Sequence, residues 1–447
     1  MKLKILVLLL LFNLLWSTRP ILAGEIYRLK WENVVEQVRE QNLNLQYERL
    51  NYRSQKLNQW KALSDFLPVI SYGFQGTNNL ELPEFVFMGQ RIRVGTDYNF
   101  SHALQLQLPL FTGGMRLANY RMQRKMTQSL KEMLRFKEGE TVVNALKAYW
   151  QILVAEQNLR TARRNLQAAR ANRQQVEQFY QQGMATRLDL YRAQAHSSSL
   201  EPVLIAARKN RHLAYQNLKF LLNLPAEDSL VVLDTLTIRH YLGELEERSL
   251  PELMEFAFRN RGDLAGLSAQ KAAASARKWM SASAFLPRVV LSASVQHQAQ
   301  IDQRTVSWDD YTRVKAAGIS LQFPLFEGGK RAINFQQARI VEKQVHLQLQ
   351  QLKRQIELEV ENAYSSFLEA RANLESYRLA REQAREAFRL AGLNYREGIL
   401  NQVEVLGAES SLFQAELAFV QGVYQYHLSQ LELLKALGKI DMLWGEE

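Results

Sequence analysis

Hydrophobic residues follow two different periods along this chain. After Pro68, Ile70, Tyr72 and Phe74 alternate with Ser71, Gly73 and Gln75; before Pro109, Leu104, Leu106 and Leu108 alternate with Ala103, Gln105 and Gln107. The alternation returns in Val289, Leu291, Ala293 and Val295, and again in Ile319, Leu321 and Phe323, with Ser320 and Gln322 between them. A period of two sends successive side chains to opposite faces, so four strands are predicted, each with one apolar and one small, polar face. Elsewhere the period lengthens. Met126, Leu130 and Met133, then Val142, Leu146, Tyr149 and Leu153, keep the spacing of a coiled-coil seam. From Arg116 to Gln182 there are 67 residues without a proline. A continuous helix of that length rises roughly 100 Å, far more than a bilayer or an ordinary globular core needs. Gly139 is a weak point that does not force a break, and Ala162, Ala168 and Ala169 allow neighbouring helices to approach closely.

The change of period occurs at a landmark found twice: Gln107-Leu108-Pro109-Leu110-Phe111-Thr112-Gly113-Gly114 and Gln322-Phe323-Pro324-Leu325-Phe326-Glu327-Gly328-Gly329. Pro109 and Pro324 each remove a backbone donor, and the glycine pairs permit a sharp turn, so a strand is expected to end here and hand over to a helix. The landmark belongs to an internal duplication. Phe66-Leu67-Pro68 matches Phe285-Leu286-Pro287 at a displacement of 219, whereas from the landmark onward the displacement is 215 through Tyr149 and Tyr364, Gly183 and Gly398, and Leu222 and Leu437. The difference falls between the two strands of a unit, where loop length changes cheaply. Each unit reads as helix, strand, loop, strand, long helix, turn, long helix. The first helix is expected at Trp31 to Ser64, with a counterpart starting near Pro251, a residue tolerated in a first helical turn. The organisation expected is a leader at 1–24, repeats at 25–224 and 250–438, a connector at 225–249 packed outside the main body, and a tail at 439–447.

Gly183 and Gly398 stop the long helices in matched fashion, and helices resume around Leu188-Asp189-Leu190 and Val403-Glu404-Val405. A glycine stop followed by a returning helix makes a hairpin, with its tip at the far end from the strands. Pro202 interrupts the first returning helix, where the second has Leu417.

Composition narrows the compartment. Lys2 and Lys4 precede an apolar run from Ile5 to Leu15, and Leu22-Ala23-Gly24 offers a small-residue exit, the pattern of a secretory signal peptide. Cysteine is absent, which excludes disulfides and thiolate chemistry without arguing against export. The formal charge of +11 falls to +8 once Lys2, Lys4 and Arg19 leave with the leader, and no concentrated basic tract marks a nucleic-acid partner. The seven histidines are scattered, and no phosphate loop, paired-histidine metal motif or nucleophile elbow occurs, so neither an enzyme nor a cofactor is expected.

Two-faced strands suit either a half-buried soluble sheet or an outer-membrane wall between lipid and a wet lumen. The twelve residues from Tyr98 to Pro109 slightly exceed the roughly 9–11 needed by a tilted spanning strand. Thr77 to Asp97 and Ala299 to Asp310 read as polar external loops, and Tyr98, Phe100, Trp308 and Tyr311 at one end face Phe111 and Phe326 at the other, as interfacial girdles would. Four strands close no useful barrel, and an open edge in hydrocarbon is costly, so further copies must complete the sheet. Parity makes Gln105, Gln107, Ser320 and Gln322 candidates for the lumen. Asp189 and Glu404, just past the hairpin turns, would be multiplied by symmetry into acidic rings at an aperture, with Arg187 as a bridge between hairpins. Either acid also suits an ordinary helix N-terminus.

On its duplicated landmark, together with Tyr180-Gln181-Gln182-Gly183 and Tyr395-Arg396-Glu397-Gly398, the whole mature chain resembles the TolC family of outer-membrane efflux proteins. The resemblance implies a mixed α/β membrane protein: a homotrimer whose four strands per chain complete a twelve-stranded barrel, continued by a periplasmic helical barrel. It also implies docking to a periplasmic adaptor protein and an inner-membrane transporter, with passive passage of small molecules or polypeptides through this component. Glu404 matches one family acidic position; Gly407 replaces the next, and Leu400 stands where an arginine can hold the aperture closed. The alternatives are a periplasmic or surface coiled-coil scaffold, or an exported hydrolase whose pocket the sequence does not reveal.

Overall fold

The computed structural model describes residues 26–444, so the expected signal peptide and the end of the tail lie outside the described residues. In chain order the elements are β1 (Ile26–Leu29), α1 (Trp31–Gln41), α2 (Leu43–Ser64), β2 (Val69–Asn78), β3 (Glu84–Phe87), β4 (Gln90–Arg93), β5 (Tyr98–Thr112), α3 (Met115–Gln181) and α4 (Arg187–Leu221). There follow β6 (Ser229–Val232), α5 (Leu250–Asn260), α6 (Gly262–Ala282), β7 (Arg288–Ile301), β8 (Thr312–Gln322), α7 (Lys330–Arg396) and α8 (Gln402–Ala436). The duplication is visible in the lengths: α3 and α7 are both 67 residues, α4 and α8 both 35. Two packing units form, each drawing on both halves of the chain: residues 49–133 with 263–353, and residues up to 48 with 134–262 and from 354 onward.

The first unit holds a four-stranded antiparallel sheet in the order β2-β5-β7-β8. The central pair β5·β7 joins the two repeats, leaving β2 and β8 as edges. At Pro109 the expectation needs correction, because β5 does not end there but continues to Thr112, with a register irregularity between Pro109 and Phe111. Proline cannot donate to the ladder, and a bulge is where a sheet tolerates that loss. At Pro324 the expectation holds, since β8 stops at Gln322. Both glycine pairs adopt left-handed backbone, with φ of +62° and +83° at Gly113 and Gly114 and +58° and +80° at Gly328 and Gly329. A side chain at Gly113 would also meet the Ser283 carbonyl oxygen at 2.5 Å, whereas Gly328 has open space around it. The segment expected as a plain loop at Thr77 to Asp97 contains a hairpin, β3·β4, turning at Met88 and Gly89.

The second unit buries Val142, Leu146, Tyr149 and Ile152 of α3 together with Val34 and Val38 of α1 and Val423, Leu431 and Leu434 of α8. Here the expected Trp31–Ser64 helix is corrected to two helices. Asn42 is extended, at φ −64° and ψ 123°. Its side-chain oxygen accepts from the N–H groups of Asn44 (3.0 Å) and Leu45 (3.2 Å), starting α2, while its amide donates to the Leu221 carbonyl at 2.9 Å. Asparagine competes for backbone groups in this way and so favours helix starts. Arg261, 219 residues later, is likewise extended between α5 and α6.

The connector at 225–249 does not sit outside. Its strand β6 pairs in parallel with β1, from Ile26 opposite Ser229 to Leu29 opposite Val232, and Leu242 and Leu245 are buried. Tyr241 stacks on Trp150, its N–H donates to Gln430 Oε1 at 2.7 Å, and His427 Nε2 lies 2.8 Å from the Thr237 carbonyl. Pro202 also departs from expectation, lying inside an unbroken α4.

Candidate functional site

The strand register sorts the sheet into two faces. Ser71, Gln105, Ser294 and Ala316 form one row, and Gln107, Ser292 and Gly318 the next. Further along, Ser320 opposes Val290 and Gln322 opposes Arg288. Gln105, Gln107, Ser320 and Gln322 therefore share one face, which is mostly small or polar, with Val69 and Val290 as apolar members and Arg288 as a charged one. The opposite face carries Ile70, Leu106, Ala293 and Ala317 in one row and Leu108, Leu291 and Ile319 in another. No part of its own unit covers that face: Tyr72 is 67% exposed and Ile319 68%. So large an apolar surface requires lipid or another protein against it.

The hairpin tips lie in the other unit. Gly183 and Gly398 take left-handed backbone, at φ +78° and +70°, and the following N–H groups bond back across the turn, Met184 to the Phe179 carbonyl and Ile399 to the Asn394 carbonyl, both at 2.8 Å. These are glycine helix stops of the Schellman kind. The returning helix α4 begins with a capping box. Asp189 N donates to Thr186 Oγ1 at 3.1 Å, and Asp189 Oδ2 accepts from Thr186 N at 3.1 Å and from Thr186 Oγ1 at 2.6 Å. The Asp189 carboxylate is thus committed to its own helix start. At α8 the cap is Asn401, whose Oδ1 accepts from Glu404 N at 3.1 Å; the Glu404 carboxylate is exposed and makes no ion pair among the described residues. Arg187 folds onto its own helix, donating to Tyr191 Oη from Nε and Nη2 at 3.0 and 2.7 Å. Burial first, and then the Asp189 charge, raise the Tyr395 phenol above its ordinary value.

Sequence reasoning missed a buried polar cluster just inside the tips. Glu409 of α8 is 4% exposed, its Oε2 lies 3.5 Å from His196 Nε2 of α4, and its Oε1 has no hydrogen-bond partner. Burial pushes the Glu409 carboxyl up to about 7 and lowers the His196 imidazole, so both favour their neutral forms. Gln402, two turns earlier, is 3% exposed with both amide atoms unpaired. The trace in the sequence was an acid at heptad spacing from Gln402.

Among the described residues no group of histidine, aspartate and glutamate is arranged to hold a metal ion, and no helix is long and apolar enough to cross a membrane. A two-faced sheet with two unpaired edges, each strand pair leading through glycines into paired helical hairpins, defines the subunit of a membrane barrel completed by further copies. The chain belongs to the outer membrane efflux protein family, whose model matches residues 34–224 and 253–439, one segment in each repeat. It is 24% identical over 389 residues to the alkaline protease secretion protein AprF of Pseudomonas aeruginosa, covering 86% of this chain and 79% of that one. With the outer membrane protein TolC of Vibrio cholerae it shares 23% identity over 302 residues, 67% of this chain and 68% of the relative. The fold matches the crystal structure of the Campylobacter jejuni CmeC outer membrane channel with a TM-score of 0.78 at 16% identity, over 92% of this chain and 85% of that one. This chain is accordingly a non-enzymatic channel of the outer membrane, working as an oligomer in a tripartite efflux or secretion system, with its helical portion in the periplasm.

Proposed function

We propose that three copies close a twelve-stranded barrel by pairing β2 of one with β8 of the next, and that Gln105, Gln107, Ser320 and Gln322 line its lumen while the apolar face meets lipid. The observation that carries this reading is the separation of faces by register across all four strands, with no strand among the described residues covering either edge. An uncovered edge in hydrocarbon loses several kcal/mol per unpaired backbone group, which closure removes. The two sequence repeats, 25–224 and 250–438 about the connector 225–249, then alternate around the ring.

Glu404 forms the acidic ring of the periplasmic aperture, its carboxylate exposed and uncommitted on the first turn of α8. Asp189 and Arg187 shape the neighbouring turn of α4, through the capping box and the contact with Tyr191. A periplasmic adaptor grips the helices and an inner-membrane transporter supplies the cargo. Similarity along most of the chain to a protein named for alkaline protease secretion favours polypeptide cargo over small molecules.

Single-channel conductance of the mature protein in planar bilayers tests the reading. Discrete channels are expected, with cation selectivity that weakens in Glu404→Ala. Channels unchanged by the substitution refute the aperture assignment, and an inserted oligomer that stays silent even after truncation of the hairpin tips refutes the conduit.

A further inference from the structure

On the apolar face of the sheet, the only strand residues that carry a permanent positive charge near the loop end are Arg313 and Lys315 of β8. Arg313 stands opposite His297, which is opposite His102, which is opposite Phe74, so these four form one row across the sheet. Lys315 heads the next row with Val295, Leu104 and Tyr72; beyond it come Ala317, Ile319 and Leu321. Both cations are exposed, and neither forms an ion pair among the described residues.

The row of Arg313 is also the level of an aromatic belt. The His102 ring packs 4.8 Å from Phe74, 5.2 Å from Tyr311 and 5.8 Å from Trp308. Its Nδ1 lies 2.6 Å from Tyr72 Oη and its Nε2 3.2 Å from Tyr311 Oη. Aromatic rings with polar tips mark the depth at which hydrocarbon gives way to headgroups. Lys315, three residues into β8, lies within about 10 Å of the strand's start along the chain at roughly 3.3 Å per residue. Long cationic side chains at this depth extend toward the interface, where the anions present are lipid phosphates.

Building on the face assignment made above, we propose that Arg313 and Lys315 together bind the phosphate of an anionic lipid headgroup in the outer leaflet. The guanidinium fork of Arg313 supplies directed donors and Lys315 a second charge one row deeper. The aromatic belt beside them fixes the depth at which the headgroup sits.

Native mass spectrometry of the detergent-solubilised oligomer, titrated with phosphatidic acid, tests this. At roughly five-fold per cation near a membrane surface, Arg313→Gln with Lys315→Gln is expected to weaken binding roughly 25-fold, while Arg313→Lys with Lys315→Arg retains most of it. Equal binding by wild type and the glutamine variant overturns the site. Displacement by inorganic phosphate at the same concentration overturns the assignment to a lipid. The same glutamine variant in planar bilayers separates the site from the face assignment beneath it. Unchanged ion selectivity leaves these cations outside the lumen, whereas a shift toward cation selectivity puts them inside it and overturns both readings. Should the glutamine variant fail to assemble, each single substitution is titrated instead, with about a five-fold loss expected and no loss overturning the proposal.

Discussion

Glu409→Gln isolates the one buried acid at the tips. The native carboxyl is held at about 7 by burial against an ordinary value of 4.5, and the ionisable group beside it, His196 at 3.5 Å, is itself driven toward the neutral form. A raised acid pKa means that the folded chain holds its proton where the unfolded chain has already released it. Glu409 therefore costs stability progressively as pH rises from about 4.5 to about 7, and the cost is constant above that. At 1.36 kcal/mol per pH unit the full cost is about 3 kcal/mol. His196 acts in the opposite sense, costing stability as pH falls below its ordinary 6.5, and the glutamine variant retains that contribution. The difference between wild type and variant thus reports Glu409 alone. The assay is hydrogen–deuterium exchange of peptides covering the first turns of α8, corrected for intrinsic exchange. From pH 5 to pH 8 the variant should gain up to about a hundred-fold in protection relative to wild type, the equivalent of that 3 kcal/mol. A difference that stays flat with pH, or one that grows as pH falls, refutes the claim that burial keeps this acid protonated.

Three further outcomes follow from the fold. Gly113→Ala meets both a left-handed backbone and the Ser283 carbonyl, whereas Gly328→Ala meets the backbone penalty alone. The second should cost about 1–2 kcal/mol and the first clearly more, read as the thermal midpoint of the assembled oligomer. Asn42→Ala removes the start of α2 and strands the Leu221 carbonyl, for a loss of about 2 kcal/mol in chemical unfolding of the helical unit. Glu404→Ala should reduce cation selectivity without changing that unfolding, because its carboxylate makes no bond that the fold needs.

Much of the architecture was legible because its causes are local. The alternation around Gln105 and Ser320 needs only the geometry of a strand, the 67-residue helices only an absence of proline, and the turns at Gly183 and Gly398 only the freedom of glycine at positive φ. Where expectation failed, a partner distant in sequence had intervened. Asn42 breaks a helix while its amide bonds Leu221, 179 residues away, and Pro109 is carried inside β5 by the neighbouring β7. The connector was misplaced because its burial depends on Trp150 and Gln430, neither of which its own composition announces.

By itself, then, the sequence determined the duplication, the element types and the two-faced character of the strands, since backbone sterics and side-chain periodicity act over a few residues. Only the tertiary structure decided that β5 pairs with β7 and so joins the repeats, and that Glu409 meets His196 in a buried site. Those outcomes depend on which distant surfaces exclude water from one another, a property of the packed chain that no single segment carries.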